Sequence, residues 1–234
     1  MNDVLGESSM TTPLVIVGAG GHAREVLDVV KAMDAIAPTW SFLGFVADDG
    51  GDLDEVEALG EQFLGAVDQL EPGGAYCVSA TPAGVLPRFV IGIGSSAARR
   101  SLDKRLTEAG WAAATLIHPS ATIGARCEIG PGVVITAGVR VTTNVHLGRH
   151  VHLNVNSTVS HDCVLGDYVT VSPGVNIPGH VTLDNGVECG TGAAFLPGVT
   201  VGSDTRVGAG AVVTKDWPPD STVVGVPGRQ LTAL

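Results

Sequence analysis

The chain has 234 residues, 44% hydrophobic and 16% charged, enough apolar material to bury a core. Its 13 basic and 24 acidic residues leave a formal net charge of −11, which argues against nonspecific binding to a nucleic-acid backbone. Aromatics make up only 4% while glycines number 32, so the core must use small branched side chains.

No run approaches the roughly 20 apolar residues of a membrane span. The first residues, MNDVLGESSMTTP, lack the basic-then-apolar order of a secretory signal. Cys77, Cys127, Cys163 and Cys189 form neither a C-x-x-C pair nor a metal-ligand spacing. Free thiols and a cytoplasmic location are the expectation.

Residues 1–12 are expected to be a flexible arm, followed by alternating strands and helices over 13–114. The segment from Leu14 to Met33 reads as an apolar strand, a glycine turn, and a helix with Val26, Leu27, Val29, Val30 and Met33 on its buried face. SFLGFVADD is a second strand ending at Asp48 and Asp49. A short helix is expected around Gln62 to Leu70, and AYCVSA or RFVIGIG supplies further strands. Ser95 or Ser96 caps the helix SAARRSLDKRLTEA, which Gly110 stops. This alternation implies a small parallel sheet, a Rossmann-like α/β domain.

From Ile117 the pattern changes. Every sixth residue from Ile117 to Val213 is apolar, without insertion or deletion. At the chain's hydrophobic fraction, chance produces such a run on the order of once in a million. Four residues after each comes a small or β-branched side chain, as in Ala121, Cys127, Val133 and onward to Ala211, with turn-tolerant residues at the corners. A period of six is that of a parallel β-helix whose three-sided coils take 18 residues, so residues 18 apart stack about 4.8 Å above one another. Cys127 and Cys163 then lie two coils apart, about 10 Å, too far for a disulfide. The period does not set the handedness, and the usual crossover rule favours a right-handed coil.

These hexads, with the ending AVVTKDWPPDSTVVGVPGR, resemble the left-handed β-helix acyltransferases that use acyl-CoA donors. With VGAGGHAREVLDVV, FVADD, IGIGSSAARR and NVNSTVSHDC added, the chain resembles the nucleotide-sugar N-acetyltransferases of the sialic-acid O-acetyltransferase-like (NeuD/PglD-type) family. The resemblance implies a left-handed β-helix over 115–234 that is catalytic and binds acetyl-CoA, behind a nucleotide-sugar-binding domain over 13–114. It also implies a homotrimer with sites between subunits, acting on a UDP-, GDP- or dTDP-linked amino sugar, often at its 4-position.

Acetyl transfer to an amine needs a base for the amine proton and donors for the tetrahedral oxyanion. His161 is the candidate base, on an outward-facing corner, with Asp162 beside it to fix its tautomer. One coil on, Gly179 has no side chain to obstruct a thioester, and its N–H is the candidate oxyanion donor. By resemblance Asn154, stacked with Ser172, meets the sugar, while Thr170, Thr191 and Ala209 contact CoA near the cations Arg206, Lys215 and Arg229.

The segment from Gly18 to Ala23 matches a loose G-x-G-x-x-A turn, whose glycines and helix N-terminus admit a diphosphate. By resemblance Gly20, Gly21 and His22 hold that diphosphate, Asp48 and Asp49 meet the nucleoside, and Gly94 lies beside it. The alternative for Asp48 and Asp49 is a plain acidic turn. No metal or prosthetic group is expected: among His146, His150, His152 and His180 no pair is five residues apart, the spacing of related zinc enzymes, and no carboxylate partner is evident. The competing readings are sugar O-acetylation, carbonic-anhydrase-like zinc chemistry, and a noncatalytic sugar-nucleotide scaffold.

Overall fold

A computed structural model describes residues 11–77 and 87–231. The first unit contains β1 (Thr12–Val17), α1 (Gly21–Asp34), β2 (Trp40–Val46), α2 (Leu53–Ala58), β3 (Phe63–Gly65), β4 (Arg88–Ile91), α3 (Ser96–Glu108) and β5 (Ala112–Ala113). The strands form one parallel sheet in the order β3-β2-β1-β4-β5. Sequence order reverses between β1 and β4, which opens a crevice at their carboxyl ends, where ligands of open parallel sheets bind.

Each helix buries the stripe its spacing dictates. Ala23, Val26, Leu27, Val29 and Val30 of α1 pack on Leu14, Ile16, Phe45 and Val90 on one sheet face. Leu106 of α3 joins Val15, Val17, Phe89, Ile91 and Trp111 on the other. Fully burying such a side chain stabilises the fold by roughly 1.5–3 kcal/mol. Gly92 after β4 permits the close approach of α1, because a Cβ there would lie 2.5 Å from the Ala23 Cα. Ser95 caps α3 through its hydroxyl, which accepts from the Ala98 N–H at 3.4 Å, and Gly110 ends it with φ of 91°.

Three expectations change. β1 begins at Thr12, inside the expected arm, while residues 1–10 lie outside the described ones. The helix expected over Gln62 to Leu70 is β3 followed by one 3-10 turn, Val67–Leu70. Gly65, at φ of 107°, interrupts any helix there, and β2 takes Phe63 as a strand neighbour. The helix in this region is instead α2, in the acidic stretch LDEVEA, with Val56 as its buried residue. Within AYCVSA, Ala75, Tyr76 and Cys77 are not in a strand and residues 78–80 lie outside the described residues.

From Leu116 to Val213 the chain winds as two-residue parallel strands in three sheets, residues pairing 18 positions apart: Arg140 with Thr158, His146 with Val164, His152 with Thr170. The last coil is shorter, Arg206 pairing with Thr222, and Arg229–Gln230 closes it antiparallel. The interior is one continuous column from Val133 to Val223, mostly Val, Leu, Ile and Cys, with Phe195 and Trp217 near its C-terminal end. Ile117, Ile123 and Ile129 of the first coil are only partly buried against it. Every sixth residue from Arg126 to Gly210 has positive φ, and the non-glycine members include Asn144, His150, Asn156, Asp162, Tyr168, His180 and Asp204. Asn and Asp tolerate this left-handed region better than other side chains do. Cys127, Cys163 and Cys189 are free thiols. Among the described residues no helix is long and apolar enough to cross a membrane.

A polar seam joins the two units. Arg99 of α3 is fully buried and donates to the carbonyls of Ile93 (3.0 Å), Gly94 (2.7 Å) and Tyr168 (2.7 Å) and to the Thr170 hydroxyl (2.8 Å). Burial pulls its guanidinium down to about 10, against the attraction of Glu188. Asp103, 3% exposed, accepts from Tyr168 at 2.6 Å and from Nε and Nη2 of Arg149. Burial opposes its charge, but Arg149, His150 and Tyr168 together hold its carboxyl well below the ordinary range. Glu188 of the β-helix accepts from the Ser96 N–H (2.9 Å) and hydroxyl (3.0 Å), at the start of α3.

Candidate active site

The crevice between β1 and β4 is a cavity of about 650 Å³. Its wall includes Gly20, Gly21, His22, Asp48, Asp49 and Gly94, so the structure brings together six of the seven residues expected at the nucleotide sugar; the seventh, Asn154, lies outside this cavity. A Cβ at Gly20 or Gly94 would meet nothing within 4 Å, which leaves their backbone open to a ligand. Arg24 makes the first intrahelical bond of α1, to the Gly20 carbonyl at 3.2 Å, so the Gly21, His22 and Ala23 amides at the helix N-terminus have no backbone acceptor among the described residues. The first turn holds no acidic residue. Both features favour an anion.

His22 and the acidic pair differ in detail from expectation. The His22 ring is committed on both sides, Nδ1 to Glu25 at 2.9 Å and Nε2 to His152 Nδ1 at 3.1 Å. Its amide, not its imidazole, is the group free for a diphosphate. Asp48 is also engaged, accepting from the Val67 N–H (2.9 Å) and from Arg105 (2.7 Å). Asp49 spends one oxygen on the Gly51 N–H at 3.1 Å, and its other oxygen has no hydrogen-bond partner among the described residues.

A second cavity of about 380 Å³ continues from the first, sharing His22 and Gly94, and runs along the β-helix. It is lined by Asn154, Thr170, Ser172 and Ala209, with Glu188 and Arg206 across it. Asn154 donates to the Val171 carbonyl at 3.0 Å, and the Thr170 hydroxyl is spent between Arg99 and Gly94. Thr191 does not line this cavity, although it stands one rung from Ala209 on the same edge. Lys215 stacks over Trp217 and lines neither cavity.

His161 stands elsewhere, on the edge between the strands Thr158–Val159 and Val164–Leu165. It lines neither cavity. Its side chain is 53% exposed, and Nδ1 lies 2.8 Å from Asp162 Oδ2. An ionised carboxylate only accepts, so Nδ1 carries the proton and Nε2 is left with its lone pair. Hydrogen bonds from Asn144 and His161 hold the Asp162 carboxyl below the ordinary range, so it is ionised at neutral pH. Gly179 sits one rung on, and a Cβ there would fall 2.4 Å from His161 Cε1 and 2.6 Å from Nε2. Among the described residues the Gly179 N–H has no backbone acceptor, whereas the flanking His180 N–H is paired to the His161 carbonyl at 3.0 Å. The half-exposed His161 imidazole and the buried Gly179 backbone thus meet in one notch.

Sequence reasoning missed His152, Asn144 and Arg99. His152 is fully buried, which forces its imidazole toward the neutral form, and it ties the glycine turn to the β-helix. The carboxylate partners not evident from sequence also exist: Asp103 Oδ1 lies 3.0 Å from His150 Nε2, though off the line of a hydrogen bond, and Glu128 lies 3.1 Å from His146. Among the described residues, one set of three donors could hold a metal: His161, Asp162 and His180, all within 4.8 Å of one another. It includes the candidate base itself.

With this geometry in view, the chain was compared with known proteins. Residues 13–106 match the family described as the PglD N-terminal domain. The GDP-perosamine N-acetyltransferase of Escherichia coli O157:H7 is 35% identical over 148 residues, 61% of this chain and 67% of that one. The structure of PerB from Caulobacter crescentus, in complex with CoA and GDP-perosamine, superposes with a TM-score of 0.82 at 30% identity, covering 95% of this chain and 99% of that one. The serine acetyltransferase of Bacillus pumilus is 39% identical over 123 residues, but the match spans 46% of its length, about half. The chain is a two-unit protein with a Rossmann-like domain and a left-handed parallel β-helix, the architecture of a hexapeptide-repeat acyltransferase. It belongs to the NeuD/PglD-like hexapeptide acetyltransferases.

Proposed function

We propose that the protein transfers an acetyl group from acetyl-CoA to the amino group of a nucleotide-linked amino sugar, with His161 as general base. The observation that carries this reading is the notch at His161, where an imidazole fixed by Asp162 packs against Gly179, whose N–H has no backbone acceptor among the described residues. The amine attacks the thioester carbonyl while His161 Nε2 takes its proton. The Gly179 N–H donates to the developing oxyanion. Collapse breaks the C–S bond, and the proton passes from the imidazolium to the departing thiolate, giving free CoA and the amide. Such a base contributes typically 10²–10⁴-fold.

The sugar nucleotide occupies the cavity at β1 and β4, with its diphosphate on the Gly20, Gly21 and His22 backbone and its nucleoside toward Asp49. Gly94 and Asn154 border the path to the sugar. The acetyl-CoA sites assigned to Thr170, Thr191 and Ala209 act chiefly through backbone, since the Thr170 hydroxyl is already committed. The cavities and His161 lie on different edges of the prism, so one chain does not supply a whole site. A homotrimer, in which a second copy brings its His161 to the cavity, meets that requirement. Both proposed substrates are made in the cytoplasm, which is the location proposed for this chain.

The GDP-perosamine bound by the Caulobacter relative makes a GDP-linked 4-amino sugar the first candidate. The test is release of free CoA thiol by purified protein, with GDP-, UDP- and dTDP-linked amino sugars and their hydroxy counterparts. The reading requires turnover with an amino sugar and loss of it in His161→Ala. Turnover on the hydroxy sugars alone would assign O-acetylation instead.

A further inference from the structure

The stacking of the coils places Asn144, Asp162 and His180 in one vertical file, each 18 residues from the next. All three occupy left-handed corners, with φ of 57°, 60° and 60°. Asp162 is the middle rung, and its two oxygens are divided. Oδ1 accepts from Asn144 Nδ2 at 2.6 Å, and Oδ2 accepts from His161 Nδ1 at 2.8 Å. His180 Nε2 is more distant, 3.7 Å from Oδ2, with its ring edge-on to His161.

Among the described residues no lysine or arginine pairs with Asp162. The neighbouring Thr143 hydroxyl is turned away to the Ala125 carbonyl at 2.9 Å, and the Cys163 thiol donates to the Pro178 carbonyl at 3.0 Å. The side chains that face this carboxylate are therefore two imidazoles and one amide. An exposed carboxylate–imidazole pair is weakly oriented by itself, because water screens it and both side chains can rotate. A neutral amide from the rung below removes that freedom without cancelling the negative charge that the imidazolium needs.

We propose that Asn144 is a positioning residue for the acetyl transfer, its amide anchoring one Asp162 oxygen so that the other stays in line with His161. Asn144 itself touches neither substrate. The assignment rests on His161 being the base, and it adds a third rung to that site.

Two substitutions separate this role from that of a corner residue. Asn144→Gly keeps the left-handed corner, which glycine adopts freely, and deletes the amide. Asn144→Asp keeps corner and shape but replaces the donor by a carboxylate. Both are expected to lower kcat about tenfold, with KM for either substrate within twofold and melting temperature unchanged. Their pH–rate profiles move in opposite directions. A loosened Asp162 stabilises the imidazolium less, so the acid limb of Asn144→Gly shifts to lower pH. An added negative charge stabilises it more, so the limb of Asn144→Asp shifts to higher pH. A residue needed only to turn the chain would give neither shift, since both variants turn it.

A kcat within twofold of the parent in the glycine variant, or limbs that do not diverge, overturns the inference. The measurement is made beside His161→Ala. If that variant retains turnover, the base assignment has failed. If His161→Ala is inactive while Asn144→Gly is unaffected, only the role of Asn144 has.

Discussion

Replacing Gly179 with alanine tests the notch with one carbon atom. The new Cβ would sit 2.4 Å from His161 Cε1 and 2.6 Å from Nε2, while ordinary van der Waals contact begins near 3.4 Å. The ring therefore has to retreat by about 1 Å. It can do so because it is the far end of an exposed side chain and Gly179 has no positive φ to strain. Stability should change by less than about 0.5 kcal/mol, a melting shift of about 1–2 °C at this chain length. The chemistry is less forgiving: a misplacement of about 1 Å can cost 10²-fold, about 2.7 kcal/mol of barrier. The assay is kcat from thiol release at saturating substrates, beside a thermal melt. His161→Ala combined with Gly179→Ala should be hardly slower than His161→Ala alone, because the methyl acts largely by displacing a ring the double variant lacks. A Gly179→Ala enzyme with kcat within threefold of the parent would refute the reasoning, and so would full additivity.

His161→Ala should lose 10²–10⁴-fold in turnover while calorimetry finds acetyl-CoA affinity nearly unchanged; a loss under tenfold is incompatible with a general base. Asp162→Asn should move the acid limb of the pH–rate profile to lower pH, because the anion that stabilises the imidazolium is gone, and an unmoved limb would make the carboxylate incidental. Acid should loosen the seam. Burial depresses His150 and His152, so their contribution is complete above the ordinary imidazole value of 6.5 and fades as pH falls below it. The depressed Asp103 contribution is present above 3.8 and is lost further down. The melting temperature should thus decline steadily from pH 7 to pH 4, and a flat profile would contradict the assignment. Asp103→Ala, which strands Arg149 in the seam, should cost about 3–5 kcal/mol, read as a lower midpoint in urea.

The β-helix was legible to the residue because its rule is local and periodic. Hydrophobic spacing of six fixes which side chains enter the prism, and the coil of 18 then fixes who stacks on whom, so His161 and Gly179 could be paired before any coordinates. The same rule applied downward from Asp162 reaches Asn144, and only the catalytic emphasis on His161 kept it from view. The α/β unit obeyed no such repeat. LDEVEA and EQFLGAVDQL carry similar helical signals, and what separates them is tertiary: the Phe45 amide bonds to the Gln62 carbonyl at 2.9 Å, recruiting the second segment to the sheet.

The seam was illegible for a related reason. Arg99, Asp103, Arg149, His150 and Tyr168 look like solvated surface residues in the sequence, and an isolated α3 or an isolated coil would expose them. They are buried or half-buried because the two units meet there, with Asp103 satisfied by Arg149 and Tyr168 and the two terminal nitrogens of Arg99 by four oxygens from both sides. That origin bears on catalysis. Two of the four oxygens held by Arg99 belong to Ile93 and Gly94 on the cavity wall, and His152 fixes the ring of His22 on the same wall. The β-helix therefore sets the shape of the pocket in the unit before it, besides carrying the base. Substitutions in the seam should raise KM for the sugar nucleotide while sparing kcat, the reverse of substitutions at Asn144, Asp162 and Gly179. His152→Ala is the sharpest case: a tenfold rise in KM at constant kcat fits a wall held from behind, whereas an equal fall in kcat with KM unmoved would place His152 among the groups that act on the transition state.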